Sequence, residues 1–266
     1  MITLIKRTLL DRKNSILMFI GFGAGLLWLY VALFPFFREI GKEFVTFWES
    51  IEGLGEVFTI TDEIFQSIEN FLAMEQYAIM IPLLLVFLLI GIAGYGLSGD
   101  VENGTAEILL ARPISRLGLF FGRYLAGIIV LVLFVAFTSL MIVPFGELHN
   151  LKYSLNNFVS ISILVFLFGW AIFSLAMMVS ALYSEKNKVS MYIGGSILAM
   201  YVMNIVATTQ EKYDFIQYFS FFYYYDHEAA LLHNTLAASN IIVFALVAII
   251  ATAIGAWWYN KRDVAV

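Results

Sequence analysis

Cysteine is absent from this chain of 266 residues, and only 13% of its residues are charged. The lack of cysteine excludes disulfide bonds, thiolate metal sites and cysteine nucleophiles. The low charge accompanies 61% hydrophobic residues and a mean hydropathy of +0.87, which leave too little polar surface for a soluble globular protein. We therefore expect an all-α protein that crosses a membrane several times.

Charged side chains are scarce inside the long apolar segments. A membrane-spanning helix needs about 20 apolar residues, and six segments meet this requirement, near residues 15–37, 77–97, 118–145, 157–183, 190–207 and 237–259. Arg123, near one end of the third segment, is the only Asp, Glu, His, Lys or Arg among them. Ion-coupled carriers and proton pumps usually place such residues at membrane depth, so the sequence argues against both classes.

The basic residues predict the orientation of the chain. Eleven of the 15 lysines and arginines fall on one side of the predicted spans, and basic residues favour the cytoplasmic side. We therefore expect a multi-pass protein of the cell membrane, with both termini in the cytoplasm and one transmembrane domain over residues 1–266. The first span is expected to be retained, because its apolar run is too long for a signal peptide. The segment before it predicts an N-terminal amphipathic helix on the inner membrane surface.

Two segments on the outer side of the predicted spans have amphipathic or aromatic patterns. Apolar residues recur at helical spacing in residues 61–75, which predicts a short helix on the outer membrane surface. Nine of the 13 residues from Tyr213 to Tyr225 are aromatic, and we expect short interfacial helices there because tyrosine favours the membrane boundary. An aromatic substrate site is the alternative. The candidates for a substrate path or exit are Asn204, Tyr213, Phe221, Phe222, Tyr223 and Asn240.

Enzymatic motifs fail on spacing or on missing partners. In HEAALLH, His233 follows His227 by six residues instead of four, which places the two rings about 240° apart on a helix and prevents a shared metal. Ser98 in GLSG resembles the serine of rhomboid intramembrane proteases, but that family pairs it with a histidine in a later span, and no predicted span contains one. There is no P-loop. We expect no catalytic residue, no metal site and no cofactor bound by this chain.

Much of the polar chemistry lies between the second and third spans, in SGDVENGTAEILLARPISRLGLFFGRYLAG at residues 98–127. Asn103–Thr105 predicts a turn into a short helix that Pro113 ends, and Ser115 is placed to cap the third span. A short helix that presents apolar residues between charged ones suits docking into a groove of a cytoplasmic partner. A plain connector between two spans is the alternative.

This stretch resembles the loop between the second and third spans of type-2 ABC exporter permeases, approximately E-x-x-x-G-T-x-E-x-L-L-x-x-P-x-S-R followed by G-K-x-L-A. Arg123 stands where lysine is commoner in that family, and Glu102 lies one or two residues closer to Gly104 than in many relatives. Six spans with inner termini and an N-terminal surface helix agree with the family over the rest of the chain. The matching residues are Glu102, Gly104, Thr105, Glu107, Leu109, Leu110, Pro113, Ser115 and Arg116, then Gly122, Arg123, Leu125 and Ala126.

The resemblance implies a permease that pairs with a second copy or a close homologue and binds two copies of a separate ABC ATPase. ATP and Mg would be bound by that ATPase, while the loop would serve as the coupling helix. The residues expected to contact the ATPase are Glu102, Gly104, Thr105, Glu107, Ile108, Leu109, Arg112, Pro113 and Arg116.

Spans without charged residues favour a hydrophobic or amphipathic substrate, such as a peptide, an antibiotic or a lipid-like molecule, exported across the lipid bilayer. No nucleic acid is expected as a partner. The alternatives are a membrane scaffold or sensor that recruits a cytoplasmic partner without transport and, less in keeping with the motifs, an intramembrane serine protease.

Overall fold

The computed structural model describes residues 1–49, 62–106 and 114–262, which are almost entirely helical and contain no strand. Within these ranges six helices, each of 24 residues or more, are long and apolar enough to cross a membrane. The structure therefore confirms the predicted all-α fold with six candidate spans. The helices are α1 (Ile2–Asp11), α2 (Lys13–Glu49), α3 (Ile68–Glu102), α4 (Arg116–Leu148), α5 (Leu155–Leu182), α6 (Lys186–Thr209), α7 (Phe221–Tyr224), α8 (His227–His233) and α9 (Ala238–Lys261).

Helix α5 lies at the centre of the bundle. The most apolar 18-residue stretch of α5 is 72% buried inside the protein, whereas the corresponding stretch of α6 is only 17% buried. α5 packs along α9 and also contacts α3, α4 and α8. Because lipid is as apolar as these side chains, burial inside the protein and not hydropathy distinguishes the central helix from the peripheral ones. α2 and α6 therefore lie at the edges, with much of their surface free to face lipid or another chain.

Small residues and hydroxyl groups join the central helices. Gly127 of α4 and Gly169 of α5 lie against the side chains of Phe173 and Leu131, where a Cβ atom would clash. Beside them, the hydroxyl of Tyr124 accepts hydrogen bonds from Trp170 Nε1 (2.7 Å) and Thr252 Oγ1 (2.9 Å), and it bonds Ser174 Oγ at 2.7 Å. Close approach at glycine and hydrogen bonds between helices are the usual means of joining spans in lipid. Ser174 of α5 is thus bonded to Tyr124 of α4.

The prediction of a short helix on the outer surface is wrong for residues 68–75. A 3₁₀ turn at Asp62–Phe65 precedes Ser67, whose hydroxyl caps α3 by accepting a hydrogen bond from the N–H of Asn70 at 3.1 Å. From there the chain continues as α3 without a break. Ile68, Phe71 and Leu72 are buried inside the protein, with Phe71 against aromatic rings of α2. The apolar face was correctly located, but it packs on protein instead of lipid.

Short helices occur within residues 211–233, which include the segment Tyr213–Tyr225 where the aromatic pattern predicts them. A 3₁₀ segment at Glu211–Phe219 is followed by α7 and α8. Asp226 caps α8 by accepting a hydrogen bond from the backbone N–H of Ala229 at 3.0 Å. These helices lie between α6 and α9 in the chain and cover one end of the bundle.

Three of the spans contain π-helical turns. They occur in α3 at Ala73–Met80 and Gly94–Ser98, in α4 at Ala136–Leu140, and in α6 at Ser190–Gly194. A π turn holds one residue more than an α turn and leaves backbone groups in weaker geometry. In α3 the side chain of Ser180 from α5 donates to the carbonyl of Ala93 at 2.7 Å and accepts from the N–H of Ser98 at 3.0 Å. The second π turn of α3 is thus fixed by a neighbouring span.

Candidate functional site

A buried ion pair lies where α3 and α4 approach the loop that joins them. Arg123 Nη2 donates to both carboxylate oxygens of Asp100, at 2.9 and 2.8 Å, and its Nη1 donates to Thr8 Oγ1 of α1 at 3.0 Å. The two charged side chains are only 10% and 11% exposed. A charge this deeply buried needs a partner of opposite sign. The pair therefore holds α1, α3 and α4 together at this position.

The start of the α3–α4 loop has the predicted turn. Gly104 has a φ angle of +67°, which glycine adopts without strain. The side-chain amide of Asn103 donates to the carbonyl of Gly99 at 2.8 Å, and the hydroxyl of Thr105 donates to the carbonyl of Asp100 at 3.1 Å. The start of the loop is therefore hydrogen-bonded to the end of α3, which also contains Asp100 of the ion pair.

The end of the loop is also fixed. Ser115 caps α4 by accepting a hydrogen bond from the N–H of Gly118 at 3.0 Å, which confirms the predicted cap. Arg116 donates to the carbonyl of Arg262 near the end of α9. Arg262 in turn donates to the carbonyl of Ala181 at 3.0 Å, so α4, α5 and α9 are joined beside the loop.

The loop itself is described only at its ends. Of the residues predicted to contact an ATPase, Glu102, Gly104, Thr105 and Arg116 lie in the described part of the chain. Glu102 accepts a hydrogen bond from the N–H of Lys186 at 2.8 Å and pairs with its ammonium group at 3.5 Å. The others, Glu107, Ile108, Leu109, Arg112 and Pro113, lie outside the described residues.

We use the name loop end for the end of the bundle that contains the α3–α4 loop. Helix α1 reaches it through Leu4, which lies against Gly122 of α4, and α9 reaches it through Arg262. Helices α1 and α9, near the two ends of the described chain, thus meet at the loop end. Most of the basic residues in ion pairs lie there too. Burial lowers the pKa of Arg12, between α1 and α2, from its ordinary value. Arginine titrates far above neutral pH, so this side chain keeps its charge.

An apolar groove of about 540 Å³ lies between α3 and α6. Its walls include Phe87 and Gly91 of α3 and Leu198 of α6, and Phe222 of α7 lies at its margin. Phe87 and Leu198 are more than half exposed. Ser190 and Tyr201 are the polar residues on its walls, and none of the residues that line it is charged. The groove can therefore hold an apolar molecule or segment but offers no partner for a buried charge.

The candidate substrate-path residues are not brought together at one site. Phe222 lines the groove and packs against Tyr201 and Phe168. Phe221 is buried against Phe244, while Asn240 is buried and accepts a hydrogen bond from Ser239 Oγ at 3.2 Å. Tyr213 and Tyr223 are more than a third exposed, and Asn204 is half-buried in α6.

His227, one of the two histidines in the HEAALLH segment, stacks on the ring of Tyr225 at a centroid distance of 5.8 Å. Burial lowers the pKa of its imidazole from the ordinary value. Within residues 1–49, 62–106 and 114–262, no group of three or more His, Asp or Glu side chains is placed to hold a metal ion. Ser98 is buried and bonds Ser180 and the carbonyl of Gly94, so its hydroxyl is occupied in helix packing.

Comparison with known families identifies the chain. A family model described as ABC-2 family transporter protein matches residues 24–264. The chain belongs to this family. ABC-2 proteins are transmembrane permease subunits that in general work with an ABC ATPase and are not themselves catalytic. No curated protein matches the chain. The loop end described above therefore belongs to a transporter permease, and the α3–α4 loop occupies the place of the loop whose sequence resembled type-2 ABC exporters.

Asp100 is a residue of the candidate site that the sequence patterns did not identify. It falls three residues beyond the predicted end of the second span, so it was placed in the loop. The signal that could have found it was Arg123, since an arginine inside a span requires an anionic or hydrogen-bonding partner nearby. Asp100 lies in the neighbouring helix at the same end of the bundle and pairs with Arg123.

Proposed function

We propose that this ABC-2 permease exports a hydrophobic or amphipathic molecule and that its groove between α3 and α6 receives the substrate. The observation that supports this proposal is the composition of the groove, whose lining has no charged residue. Apolar surface of this kind favours apolar ligands, and an edge helix such as α6 leaves the groove open toward the membrane. A bare ion would lose its hydration there without compensation.

ATP hydrolysis would occur on two copies of a separate ABC ATPase, which would bind the loop end in the cytoplasm. This orientation is supported by the basic residues that gather there, among them Arg7, Arg12, Arg116 and Lys186. The loop is held at both of its ends, at Gly104 and at Ser115. A segment joined firmly to two spans can pass the movement of a partner to those spans, whereas a free loop would absorb it.

Filling the groove tests the transport proposal. A Cβ atom at Gly91 would meet nothing within 4 Å, so Gly91→Trp should fold while its indole occupies the groove. We expect transport to fall at least about tenfold, because tryptophan fills roughly 150–250 Å² of contact surface. The measurement is ATP-driven uptake of rhodamine 6G and of a fluorescent phospholipid into inverted vesicles that contain the permease and its ATPase.

Gly195→Trp is the matched control for this experiment. Gly195 also has open space at its Cβ position, lies beside the groove residue Gly194 and does not line the groove. Transport by this variant should remain near the wild-type rate. If both tryptophan variants transport both probes normally while assembling with the ATPase, the groove is not the substrate path.

A second copy of the chain would pack on the outer face of α2. Gly21 and Gly25 are four residues apart on one face of this helix, and a Cβ atom at either would meet nothing within 4 Å. Gly23, on another face, lies against Thr138 of the same chain. A strip of small residues on a span is a common surface for helix association in lipid.

Replacing Gly21 and Gly25 together with leucine should therefore weaken the dimer. A loss of about 1.4 kcal/mol in association free energy would reduce the dimer constant tenfold. Cross-linking in native membranes measures the change, with Gly195→Leu as a control on another exposed span. Unchanged cross-linking of the double variant would place the dimer interface elsewhere.

A further inference from the structure

A small polar pocket lies at the loop end, between α1, Arg12 and the turns of α3 and α4 nearest the loop. Its volume is about 120 Å³, which is room for several water molecules or a group the size of a phosphate. Thr8, Arg12, Tyr95, Asp100 and Arg123 are among the residues that line it. The pocket is separate from the apolar groove, with which it shares no lining residue.

Two arginines in this pocket have hydrogen-bond donors that the described protein leaves unused. Arg123 is 9% exposed, and its Nε has no hydrogen-bond partner among the described residues. Nη2 of Arg12 is likewise buried and without a partner among them. A buried donor without an acceptor is costly, more so when it carries charge. Both guanidinium N–H groups therefore need a hydrogen-bond acceptor that the described part of the chain does not provide.

The acidic residues of the pocket already have partners. Asp100 accepts both of its short bonds from Arg123 Nη2, and a further weak one at 3.3 Å comes from Thr105. Asp11 pairs with Arg7 at 3.7 Å, on the exposed side of α1. A third cation, Lys186, lies 5.2 Å from the ring of Tyr95. The donors that remain open therefore belong to cations, and the ligand that fits them is an anion.

Phosphate is the anion that two arginines are best suited to bind. The guanidinium group is planar and always charged, and it presents several donors to tetrahedral oxyanions. The face of Tyr95 supports the Arg12 guanidinium from one side, which limits its motion. Basic pockets between spans on the cytoplasmic side are typical sites for anionic lipid headgroups.

The surroundings of the pocket favour a lipid over a free ion. Tyr95, Gly91 and Phe87 follow each other at intervals of four residues along α3 and so share one strip of its surface. Tyr95 is 45% exposed and Phe87 is 59% exposed, and the space above Gly91 is open. This strip leads from the pocket toward the middle of the span, where an acyl chain would lie.

We propose that the pocket binds the phosphate of an anionic glycerophospholipid, with Arg12 and Arg123 as donors and an acyl chain along Tyr95, Gly91 and Phe87. The lipid would be a bound structural partner at the junction of α1, α3 and α4, beside the loop end. The headgroup pocket does not depend on the direction of transport, whereas the acyl chain would share Gly91 and Phe87 with the groove proposed for the substrate.

Native mass spectrometry of the full-length permease in detergent tests the proposal. The probes are palmitoyl-oleoyl phosphatidylglycerol and the zwitterionic palmitoyl-oleoyl phosphatidylcholine. We expect the wild-type protein to retain phosphatidylglycerol at least about tenfold more strongly than phosphatidylcholine, and Arg12→Gln to lose this preference, as expected for hydrogen bonds to a charged group. Arg12→Lys, which keeps the charge but has fewer donors, should retain an intermediate amount.

Lys13→Gln is the matched control, because Lys13 is the next residue, carries the same charge and is exposed. It should retain phosphatidylglycerol like the wild type. Equal loss in Lys13→Gln and Arg12→Gln would show general surface attraction and overturn the proposal, as would unchanged retention in Arg12→Gln. A rise in the thermal unfolding midpoint with inorganic phosphate alone, equal to the rise with phosphatidylglycerol, would overturn the lipid assignment in favour of a free anion.

Discussion

Replacing Asp100 with alanine is expected to lower the free energy of unfolding by about 3–5 kcal/mol, because the buried guanidinium of Arg123 would lose its carboxylate. The loss should be visible as a lower thermal unfolding midpoint in detergent, followed by tryptophan fluorescence. It should also loosen α1, because Thr8 is bonded to the cluster through Arg123. Protease cleavage near the N-terminus is then expected to become faster.

The more exposed ion pair between α3 and α6 provides the control. Glu102 and Lys186 are each about one-third exposed in their side chains, and exposed ion pairs contribute only about 0–1 kcal/mol. Glu102→Ala should therefore change the midpoint little. Asp100→Ala combined with Arg123→Met should recover part of the stability, because removing both charges leaves none unpaired. Equal destabilisation by Asp100→Ala and Glu102→Ala would contradict the importance given to the buried pair.

Leu109→Asp is expected to separate ATP hydrolysis from transport. This residue lies outside the described part of the chain, so the prediction rests on the sequence pattern and on the fixed loop ends at Gly104 and Ser115. An apolar anchor at the centre of an interface is worth about 2 kcal/mol or more. Its replacement by a charge should weaken ATPase binding roughly 30-fold. Co-purification of the ATPase and substrate transport are measured on the same preparations.

Glu107→Ala is the comparison for this experiment, since a charge at the rim of an interface contributes little. It should reduce co-purification much less than Leu109→Asp does. A Leu109→Asp permease that still binds a fully stimulated ATPase and exports at the normal rate would show that the loop is not the coupling helix. A permease that fails to insert would be recognised by its absence from the membrane fraction.

The membrane fold could be predicted because its main determinants are local. A run of apolar residues is sufficient to define a span, and a serine before a helix or a glycine in a tight turn acts through neighbouring backbone groups. Ser115 and Gly104 were found in this way. The resemblance of residues 98–127 to type-2 ABC permeases was equally local, and the family match over residues 24–264 extends it to most of the chain.

What could not be predicted depends on contacts between distant residues. The spacing of apolar residues around Phe71 predicts an apolar helix face. Lipid and the interior of the protein are both apolar, so the sequence does not show which of the two this face contacts. The same limit applies to Phe221 and Asn240, whose burial depends on how α5, α7 and α9 pack. Asp100 was missed because a hydropathy window treats a charge as the end of a span.

The two helices that form the groove both have π turns where they approach the loop end. The segments Gly94–Ser98 and Ser190–Gly194 are close neighbours, since a Cβ atom at Gly94 would lie 3.8 Å from that of Val189. The extra residue of a π turn can pass to the next turn when backbone hydrogen bonds exchange. The residues between the old and the new position then move by about 1.5 Å along the helix axis and rotate by about 100°. The bonds of Ser180 to Ala93 and Ser98 set which register is occupied. A shift of the π turn in α3 would therefore change which residues this helix presents, and it would require Ser180 to release its two bonds.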